Sequence, residues 1–447
     1  MSHYRPTRRD VIRTLGAGAG ASALTLGGGH RAWGAPQSRG NVLFSRGQSE
    51  NPELTWAINA QSGTEIDLVQ AVVDSFIAEN PGYQVTVLNY DPETYDQILL
   101  TDVSAGTLPD LFVSADVFTK PFFDSGLTAD LIPLAESTGF DLTTFDEKFL
   151  ELGMYEGKLG FLPRAADVVV TYYNKRMFDE AGLAYPAEDW TYGDMLAAAE
   201  ALTIKSSDGA TTQYGVAAGY SWWAYWVPMV IAEGGQILSD DNSEAVFNSP
   251  EGQRAWGYIF EGLSNGWFAP PSVQAEMGGD GVPFNVGLAA MTFTVRAAVP
   301  TVRSQLTDDW DVQLVPQGSA RRSTGMGTMG YAISSQTEDP AAAWNLLEYA
   351  YSDGMRFFME SYLVVPPITT FYDDPAWREL PGPPYNNEIF VTATEDAMLP
   401  PPLPFYSTGN FRRAMEDGID AVLLGQMSPE DAVNNMAAEA TRSLQAG

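Results

Sequence analysis

The sequence predicts an α/β fold, because short apolar strands alternate with amphipathic helices from residue 54 onward. Residues 54–58 form the first apolar run, and the segment from Ile66 to Ile77 then carries apolar side chains three and four positions apart. That spacing is typical of a helix with one buried face. Further apolar runs follow at 85–88 and 111–113. Strands that alternate with helices indicate a parallel, doubly wound sheet.

Polar residues stand after two of the predicted strands. Asn59 and Gln61 follow the first strand, and Asp116 follows the strand at 111–113. Ligands of doubly wound sheets bind at the carboxyl ends of the strands, so we predict that these three residues contact a small ligand. A turn-forming role for Asn59 and Gln61, and a helix cap at Asp116, are the alternatives.

The N-terminal residues have the pattern of an export signal. Arg8 and Arg9 precede a weakly apolar, Gly-rich stretch, and a cleavage site with small residues follows at Gly34. This pattern resembles a twin-arginine signal peptide over residues 1–34. The apolar stretch is too short and too rich in glycine to span a bilayer, which takes about 20 apolar residues. We therefore expect a flexible leader at 35–52 and an exported, periplasmic protein.

The composition disfavours several kinds of site. The 447-residue chain has no cysteine, so we expect no disulfide, no thiolate metal site and no lipid anchor. Its histidines are His3 and His30, which would be removed with the signal. We therefore expect no cofactor and no histidine-based catalysis, and we predict that the protein is not an enzyme. A hydrolase that uses only carboxylates stays open. Acidic residues outnumber basic ones by 57 to 24, which disfavours nucleic acid as a partner.

Short motifs occur in a recognisable order over nearly the whole chain after residue 52. They are ENPGYQVTV (79–87), AGTLPDLF (105–112), YEGKLGFLP (155–163), YYNKRMFDEAGL (172–183), Trp190 with Thr191, EGG (233–235), NSPEG (248–252), FNVGLAAM (284–291) and LGQMSPEDAV (424–433). In this order and spacing they resemble the extracellular (periplasmic) solute-binding proteins of ABC importers, family 1, in the maltose-binding-like carbohydrate group.

The resemblance implies the two-lobed, type II periplasmic-binding-protein fold. Each lobe would hold a parallel-type sheet with flanking helices, and a hinge would join the lobes. Lobe 1 would contain residues 53–165 and 292–337, and lobe 2 residues 166–291 and 338–447. The expected crossings between the lobes lie near 163–168, 288–294 and 335.

The resemblance also implies a function. The protein would capture a mono- or oligosaccharide in the cleft between the lobes and close around it about the hinge. It would then deliver the sugar, as a monomer, to the transmembrane subunits of an ABC permease. No covalent chemistry is needed for this role.

Aromatic residues cluster at 222–226. Trp222, Trp223, Tyr225 and Trp226 cannot all point into one core, so we expect some of them to face a cavity or solvent. Sugar rings have apolar faces that stack on aromatic planes, and an indole N–H can donate a hydrogen bond. Core packing is the alternative for about half of the four. By the resemblance, Trp222 is a better candidate ligand contact than Trp226.

The resemblance adds further candidate ligand contacts. It implies a sugar-binding acid at Asp116 and another acidic position at Asp167, and it brings Phe411 close to an aromatic position of the family. Tyr406 and Arg412 lie in the same region. Core packing is the alternative for the aromatic residues.

One departure from the family concerns the charge of the ligand. Where the family has a stacking tryptophan after its AM motif, Met291 is followed by a segment that contains Arg296 instead. By the resemblance, Arg164 is a second cation directed toward the cleft. A guanidinium binds carboxylate or phosphate in a bidentate fork, so a uronate or a sugar phosphate is an alternative ligand. An ion pair with Asp116 or Asp167 inside the cleft is the other explanation of the two arginines, and it is slightly favoured.

A ferric-iron receptor is a further alternative, since Tyr172 and Tyr173 are adjacent and tyrosine pairs can hold iron. The apolar run 168–170 before them predicts a strand, in which neighbouring side chains point to opposite faces. We therefore expect no iron site at this pair.

Overall fold

The computed structural model describes residues 51–60, 63–92, 94–115, 118–165, 167–401 and 409–446. The signal expected at 1–34 and nearly all of the expected leader lie outside these ranges, as do Gln61 and Asp116. Within the ranges, no helix has an apolar stretch long enough to cross a membrane.

The first sheet has five strands with a parallel centre. In β1 (Glu53–Ile58), Trp56 is opposite Val87 on one side and Leu111 on the other, and both neighbours run parallel to it. The two remaining strands pair antiparallel. The spatial order is β2 (Gln84–Asn89), β1, β3 (Leu111–Ala115), β14 (Met329–Ile333) and β6 (Leu162–Pro163). The predicted parallel pattern is therefore correct for the first three strands.

The helix predicted from Ile66 to Ile77 is α1 (Gly63–Glu79), and its buried face packs into the same hydrophobic core as the first sheet. Val69, Val72 and Val73 are fully buried on that face. The other helices that contribute to this core are α2 (Tyr95–Ala105), α3 (Thr119–Asp124), α4 (Ile132–Thr138), α5 (Glu147–Leu152), α11 (Val282–Asn285), α12 (Val299–Gln305), α13 (Pro340–Ala350), α14 (Met355–Glu360), α15 (Pro375–Arg378) and α16 (Glu388–Thr392).

The second sheet is mixed. β10 (Thr211–Val216) pairs parallel with β11 (Ala289–Thr294), and the other pairings are antiparallel. The spatial order is β12 (Trp310–Gln313), β8 (Val170–Asn174), β11, β10 and β9 (Ile204–Lys205). The helices of this part of the chain are α6 (Lys175–Ala181), α7 (Tyr192–Leu202), α8 (Trp223–Ala232), α9 (Pro250–Ser264), α10 (Pro271–Met277), α11 (Val282–Asn285), α12 (Val299–Gln305), α17 (Gly409–Leu423) and α18 (Pro429–Ala446).

Two connections join the sheets side by side. One runs from β6 to β7 (Asp167–Val168), and the other from β13 (Thr324–Gly327) to β14. The Arg164 N–H donates to the Met329 carbonyl at 2.9 Å, and the Thr328 hydroxyl donates to the Ala165 carbonyl at 2.6 Å. These hydrogen bonds hold the two connections together at residues 164–165 and 328–329.

The strand pairing differs from the expected grouping of the later segments. β11 and β12 both pair with β8, so the chain stays with the second sheet through the expected crossing at 288–294. The helices α13 and α14 instead pack against α1 of the first sheet. The expected segment 292–337 therefore contributes strands to both sheets, since β12 pairs with β8 and β14 pairs with β3. The helices of the segment 338–447 contribute to both hydrophobic cores.

Smaller strands complete the described structure. β13 lies between β7 and β15 (Ala397–Met398) in a three-stranded sheet, and β4 (Met154–Tyr155) forms a hairpin with β5 (Lys158–Leu159). Gly325 in β13 packs against α8 so closely that an added Cβ would lie 2.6 Å from the Cα of Ala224. This contact packs α8, the helix that carries the aromatic cluster, closely against β13.

Candidate functional site

The aromatic cluster at 222–226 is divided between the core and the surface. Trp222 occupies the N-cap position of α8 and has extended backbone angles. Its side chain is 36% exposed, while that of Trp223 is partly buried. Tyr225 and Trp226 are buried, Trp226 at 1% exposure with its ring centroid 4.9 Å from that of Phe247. Two indoles are thus left accessible and two aromatic rings stabilise the core.

A cavity of about 220 Å³ lies beside the accessible indoles. Among the described residues, its lining combines three indoles, a phenyl ring and a thioether with one hydroxyl and one carboxylate. These residues are Ser221, Trp222, Trp223, Trp226, Asp280, Phe411 and Met415. A largely apolar wall with a few polar groups is typical of small-molecule sites.

Phe411 and Met415 come from α17, near its start. They are four positions apart, so they lie on the same face of the helix. Phe411 is buried, and its ring centroid lies 6.3 Å from that of Trp226. Phe411 thus joins the cavity wall to the hydrophobic core behind it. Tyr406 lies outside the described residues, as does the side chain of Arg412.

Asp280 reaches the cavity from a glycine-rich turn after α10. Gly278, Gly279 and Gly281 have φ angles of 110°, 137° and 73°, which side chains with a Cβ rarely adopt. The turn is held by Gln274, a fully buried side chain that accepts a hydrogen bond from the Gly281 N–H at 2.9 Å. Glycine at these positions lets the chain turn sharply enough to present Asp280.

Gln274 also holds the chain just before the aromatic cluster. Its side-chain amide donates to the carbonyls of Ala218 and Ala269 at 3.0 and 3.1 Å. A Cβ added at Gly219 would lie 2.8 Å from Asp280 Oδ2 and 3.4 Å from the Cβ of Trp222. Gly219 therefore allows the carboxylate and the indole to approach each other.

Arg164 follows β6 and forms an ion pair with Glu65 at the start of α1. Both side chains are largely buried, and the guanidinium lies 6.0 Å from the ring centroid of Tyr331. Burial acts to lower the pKa of Arg164, but its interactions with Tyr331 and Glu65 raise that pKa above the usual value. The described carboxylate partner of Arg164 is thus Glu65, and Arg164 is not among the described residues of the cavity wall.

Arg296 begins a 3₁₀ turn (Arg296–Ala298) and is fully buried. Its Nη1 donates to Asn387 Oδ1 at 2.7 Å, and its guanidinium lies 4.1 Å from the ring centroid of Trp377 and 5.1 Å from that of Phe390. Burial lowers the pKa of Arg296 to about 9. Nε and Nη2 have no hydrogen-bond partner among the described residues. In this structure the Arg296 side chain is enclosed by protein.

The remaining predicted contacts lie elsewhere. Asn59 follows β1 and is partly buried, and its Oδ1 accepts no hydrogen bond from the described residues. Asp167 opens β7, where its backbone pairs with Gly327. Gln61 and Asp116 fall outside the described ranges. Of the predicted contacts, the cavity brings together Trp222, Trp223, Trp226 and Phe411.

Tyr172 and Tyr173 occupy opposite faces of β8, as the alternation of a strand predicts. Tyr172 belongs to the core of the first sheet and donates its hydroxyl to the Val295 carbonyl at 2.8 Å, while Tyr173 belongs to the other core. Burial raises the pKa of both phenols. Their hydroxyls therefore do not converge on one metal ion.

Sequence reasoning missed three residues of the cavity wall: Ser221, Asp280 and Met415. The run of three glycines around Asp280 was a usable signal, because such a run predicts a sharp turn that exposes the residue within it. Ser221 precedes the aromatic cluster and Met415 lies one helical turn after Phe411, and their place in the wall depends on the packing of α8 against α17.

A model of the family described as bacterial extracellular solute-binding protein matches residues 71–384. Among curated relatives, a Brucella abortus protein described as a binding protein is 31% identical over 192 residues. That match spans 42% of this chain and 44% of the relative, so the alignment covers less than half of the relative's length.

Solved structures match over most of the chain. An ABC substrate-binding protein of Listeria monocytogenes, in complex with cycloalternan, superposes with a TM-score of 0.77 and 23% identity over 88% of this chain and 99% of its own. An ABC transporter solute-binding protein of Thermotoga lettingae, bound with α-D-tagatose, gives a TM-score of 0.72 and 22% identity over 88% and 99%. At these identities the similarity shows the fold, that of the type II periplasmic binding proteins.

Proposed function

Because the chain belongs to the family of bacterial extracellular solute-binding proteins, we propose that it captures a carbohydrate for an ABC transporter. The sugar binds in the cavity beside Trp222, on the part of the chain that carries the second sheet. Closure about the paired connections then brings the two sheet domains together over it. The closed protein docks on the membrane permease, and no covalent step occurs.

The observation that carries this proposal is the make-up of the cavity wall. A sugar ring has C–H faces that pack on aromatic planes and hydroxyls that need hydrogen-bond partners. Trp222 and Trp223 offer accessible indoles, while Ser221 and Asp280 offer polar groups on the same wall. This combination suits a hydroxylated ring better than it suits a purely apolar ligand.

The ligands of the similar structures support a carbohydrate and differ in size. Cycloalternan is a cyclic oligosaccharide and tagatose is a monosaccharide. The test therefore uses neutral sugars of several lengths. Maltose, maltotriose, tagatose and cycloalternan form a suitable panel, with glucuronate and glucose 6-phosphate as the acidic members.

The proposed location is the periplasm, after export by the twin-arginine route and without a lipid anchor. Support comes from Arg8 and Arg9 ahead of the Gly-rich stretch and from a sequence without cysteine. A fusion of residues 1–40 to a reporter tests the route. Export should depend on the twin-arginine translocase and should be lost when both arginines are replaced by lysine.

Thermal shift followed by calorimetry tests the function. We expect at least one neutral sugar to raise the Tm and to bind with a measurable enthalpy. X-ray scattering should then show a smaller radius of gyration with that sugar. Incubation with the oligosaccharides should release no new reducing ends, since the proposal contains no catalytic step. Absence of binding across the panel, or turnover of any sugar, would contradict the proposal.

A further inference from the structure

A buried carboxylate lies at the C-terminal end of α8, the helix that begins at the cavity. Glu233 directly follows α8, and its side chain is 1% exposed. A buried carboxylate is stable only where hydrogen-bond donors replace water. Its donors among the described residues are the Ser319 hydroxyl at 2.7 Å, the Ser319 N–H at 3.3 Å, the Tyr258 hydroxyl at 3.1 Å and Arg254 Nε at 3.3 Å. Glu233 therefore joins α8 to α9 and to the loop between β12 and β13.

The same loop binds the end of α8 through backbone groups. The N–H groups of Ala320 and Arg321 donate to the Ala232 carbonyl at 3.0 and 3.2 Å. That carbonyl belongs to the last turn of the helix, where the helix itself supplies no N–H donor. An added Cβ at Gly318 would lie 2.4 Å from the same carbonyl oxygen, so the loop needs glycine there to approach this closely. Backbone and side-chain contacts together hold the loop against the helix end.

The chain then runs from this loop along α8 into β13. Gly325 in β13 lies against the first turn of α8, where an added Cβ would be 2.6 Å from the Ala224 carbonyl oxygen. Pro228 has no N–H to donate to that carbonyl. The segment 318–325 thus contacts both ends of α8. Directly after β13, the chain enters the paired connections between the two sheets.

We infer that Glu233 is a positioning residue that couples the cavity to the hinge. Trp222, at the start of α8, contacts the sugar, and Glu233 holds the other end of α8 to the loop that leads into the connection. The helix and the connection then move as one body, so a sugar bound at Trp222 biases the connection toward the closed arrangement. The inference rests on the proposed function and adds how binding reaches the hinge.

Glu233→Gln tests the coupling, because it keeps the shape of the side chain and removes the charge that the donors bind. Calorimetry measures the affinity for the tightest sugar of the panel. X-ray scattering measures the radius of gyration at a sugar concentration that saturates each protein. We expect Glu233→Gln to bind about 5- to 100-fold more weakly than the wild type. At saturation, its decrease in radius of gyration should be at most about half of the wild-type decrease.

Ser319→Ala breaks the contact from the loop side and is the milder variant. It removes the hydrogen bond of 2.7 Å and leaves Glu233 with Tyr258 and Arg254. It should also compact less than the wild type at saturation. Glu251→Gln is the matched control, because Glu251 pairs with the same Arg254, at 3.6 Å, from the first turn of α9. This control should keep the wild-type affinity and compaction.

A purely structural role of Glu233 predicts a different result. Both variants would then unfold more easily, but every folded molecule that binds sugar would still close completely. Full wild-type compaction of either folded variant at saturation would therefore overturn the inference, whatever the stability of that variant. A loss of compaction in Glu251→Gln as large as that in Glu233→Gln would overturn it as well.

The outcomes separate the two levels of the proposal. If the wild-type protein binds no sugar of the panel, or binds one without compaction, the proposed function fails, and the inference fails with it. If the wild-type protein binds and compacts and the Glu233 and Ser319 variants compact equally, only the role of Glu233 fails.

Discussion

The guanidinium of Arg296 and the side-chain amide of Asn387 form a buried hydrogen bond of 2.7 Å, with the two residues 0% and 3% exposed. The bond connects the turn after β11 to the segment just before α16. Trp377 and Phe390 lie beside the guanidinium, and no described carboxylate forms an ion pair with it. Burying a charge with so few partners costs desolvation free energy. The contacts with Asn387, Trp377 and Phe390 offset part of that cost.

Replacing Asn387 should destabilise the protein more than replacing Arg296. Asn387→Leu leaves the guanidinium buried without its described acceptor and should lower the free energy of unfolding by about 1.5–3 kcal/mol. Arg296→Met removes the charge and keeps an apolar side chain of similar length, so it should cost less than Asn387→Leu. Urea denaturation of the two variants and the wild-type protein checks the order. A larger loss for Arg296→Met would contradict it.

The aromatic cluster also gives a prediction about stability that does not involve a ligand. Trp226→Ala creates a cavity in the core and should lower the free energy of unfolding by about 3–5 kcal/mol. Trp222→Ala removes a side chain that is 36% exposed and should cost much less. Denaturant unfolding of both variants tests the difference. Equal losses would show that Trp222 is as important to the core as Trp226.

Acid should destabilise the protein partly through Asp308. Hydrogen bonds from Arg176 at 2.9 Å and Asn174 at 2.8 Å lower the pKa of its carboxyl group in the folded state. Their stabilising contribution is present above the unfolded pKa of about 3.9 and is lost as the pH falls through the lower folded value. Asp308→Asn lacks this titration, so the stability advantage of the wild-type protein over the variant should shrink from pH 6 to pH 3. Urea denaturation at both pH values measures the difference in the free energy of unfolding between the two proteins. A difference that stays the same at pH 6 and pH 3 would contradict the prediction.

Gly219 offers a minimal test of the cavity geometry. A Cβ there would lie 2.8 Å from Asp280 Oδ2, so Gly219→Ala should displace the carboxylate and weaken sugar binding about tenfold. Gly257→Ala is the control, because no atom lies within 4 Å of a Cβ at this position in α9. That control should bind as the wild type does and should be more stable by up to about 1 kcal/mol. Normal binding by Gly219→Ala would show that the contact is not needed.

The features that could be predicted from the sequence are those that depend on residues close together in the chain. Apolar spacing identified α1 because its buried positions repeat at the helical period, and alternation separated Tyr172 from Tyr173. The density of aromatics at 222–226 required some of them to leave the core. In each case the pattern lies within a few residues of the chain.

Other features depended on distant contacts. The place of β12 follows from hydrogen bonds to β8, more than 130 residues earlier, and no local pattern indicates that partner. The environment of Arg296 is built by Trp377, Asn387 and Phe390 from a later segment. Asp280 acquires its neighbours only when the turn at 278–281 meets the loop at 218–222.

Calorimetric titration of the wild-type protein and Trp222→Ala with the tightest neutral sugar of the panel tests the central claim most directly. If the sugar stacks on the accessible indole, the wild-type protein binds it and Trp222→Ala binds it at least about tenfold more weakly. The free energy of unfolding of the variant should stay close to that of the wild type. Equal affinities of the two proteins would place the sugar elsewhere and contradict the account.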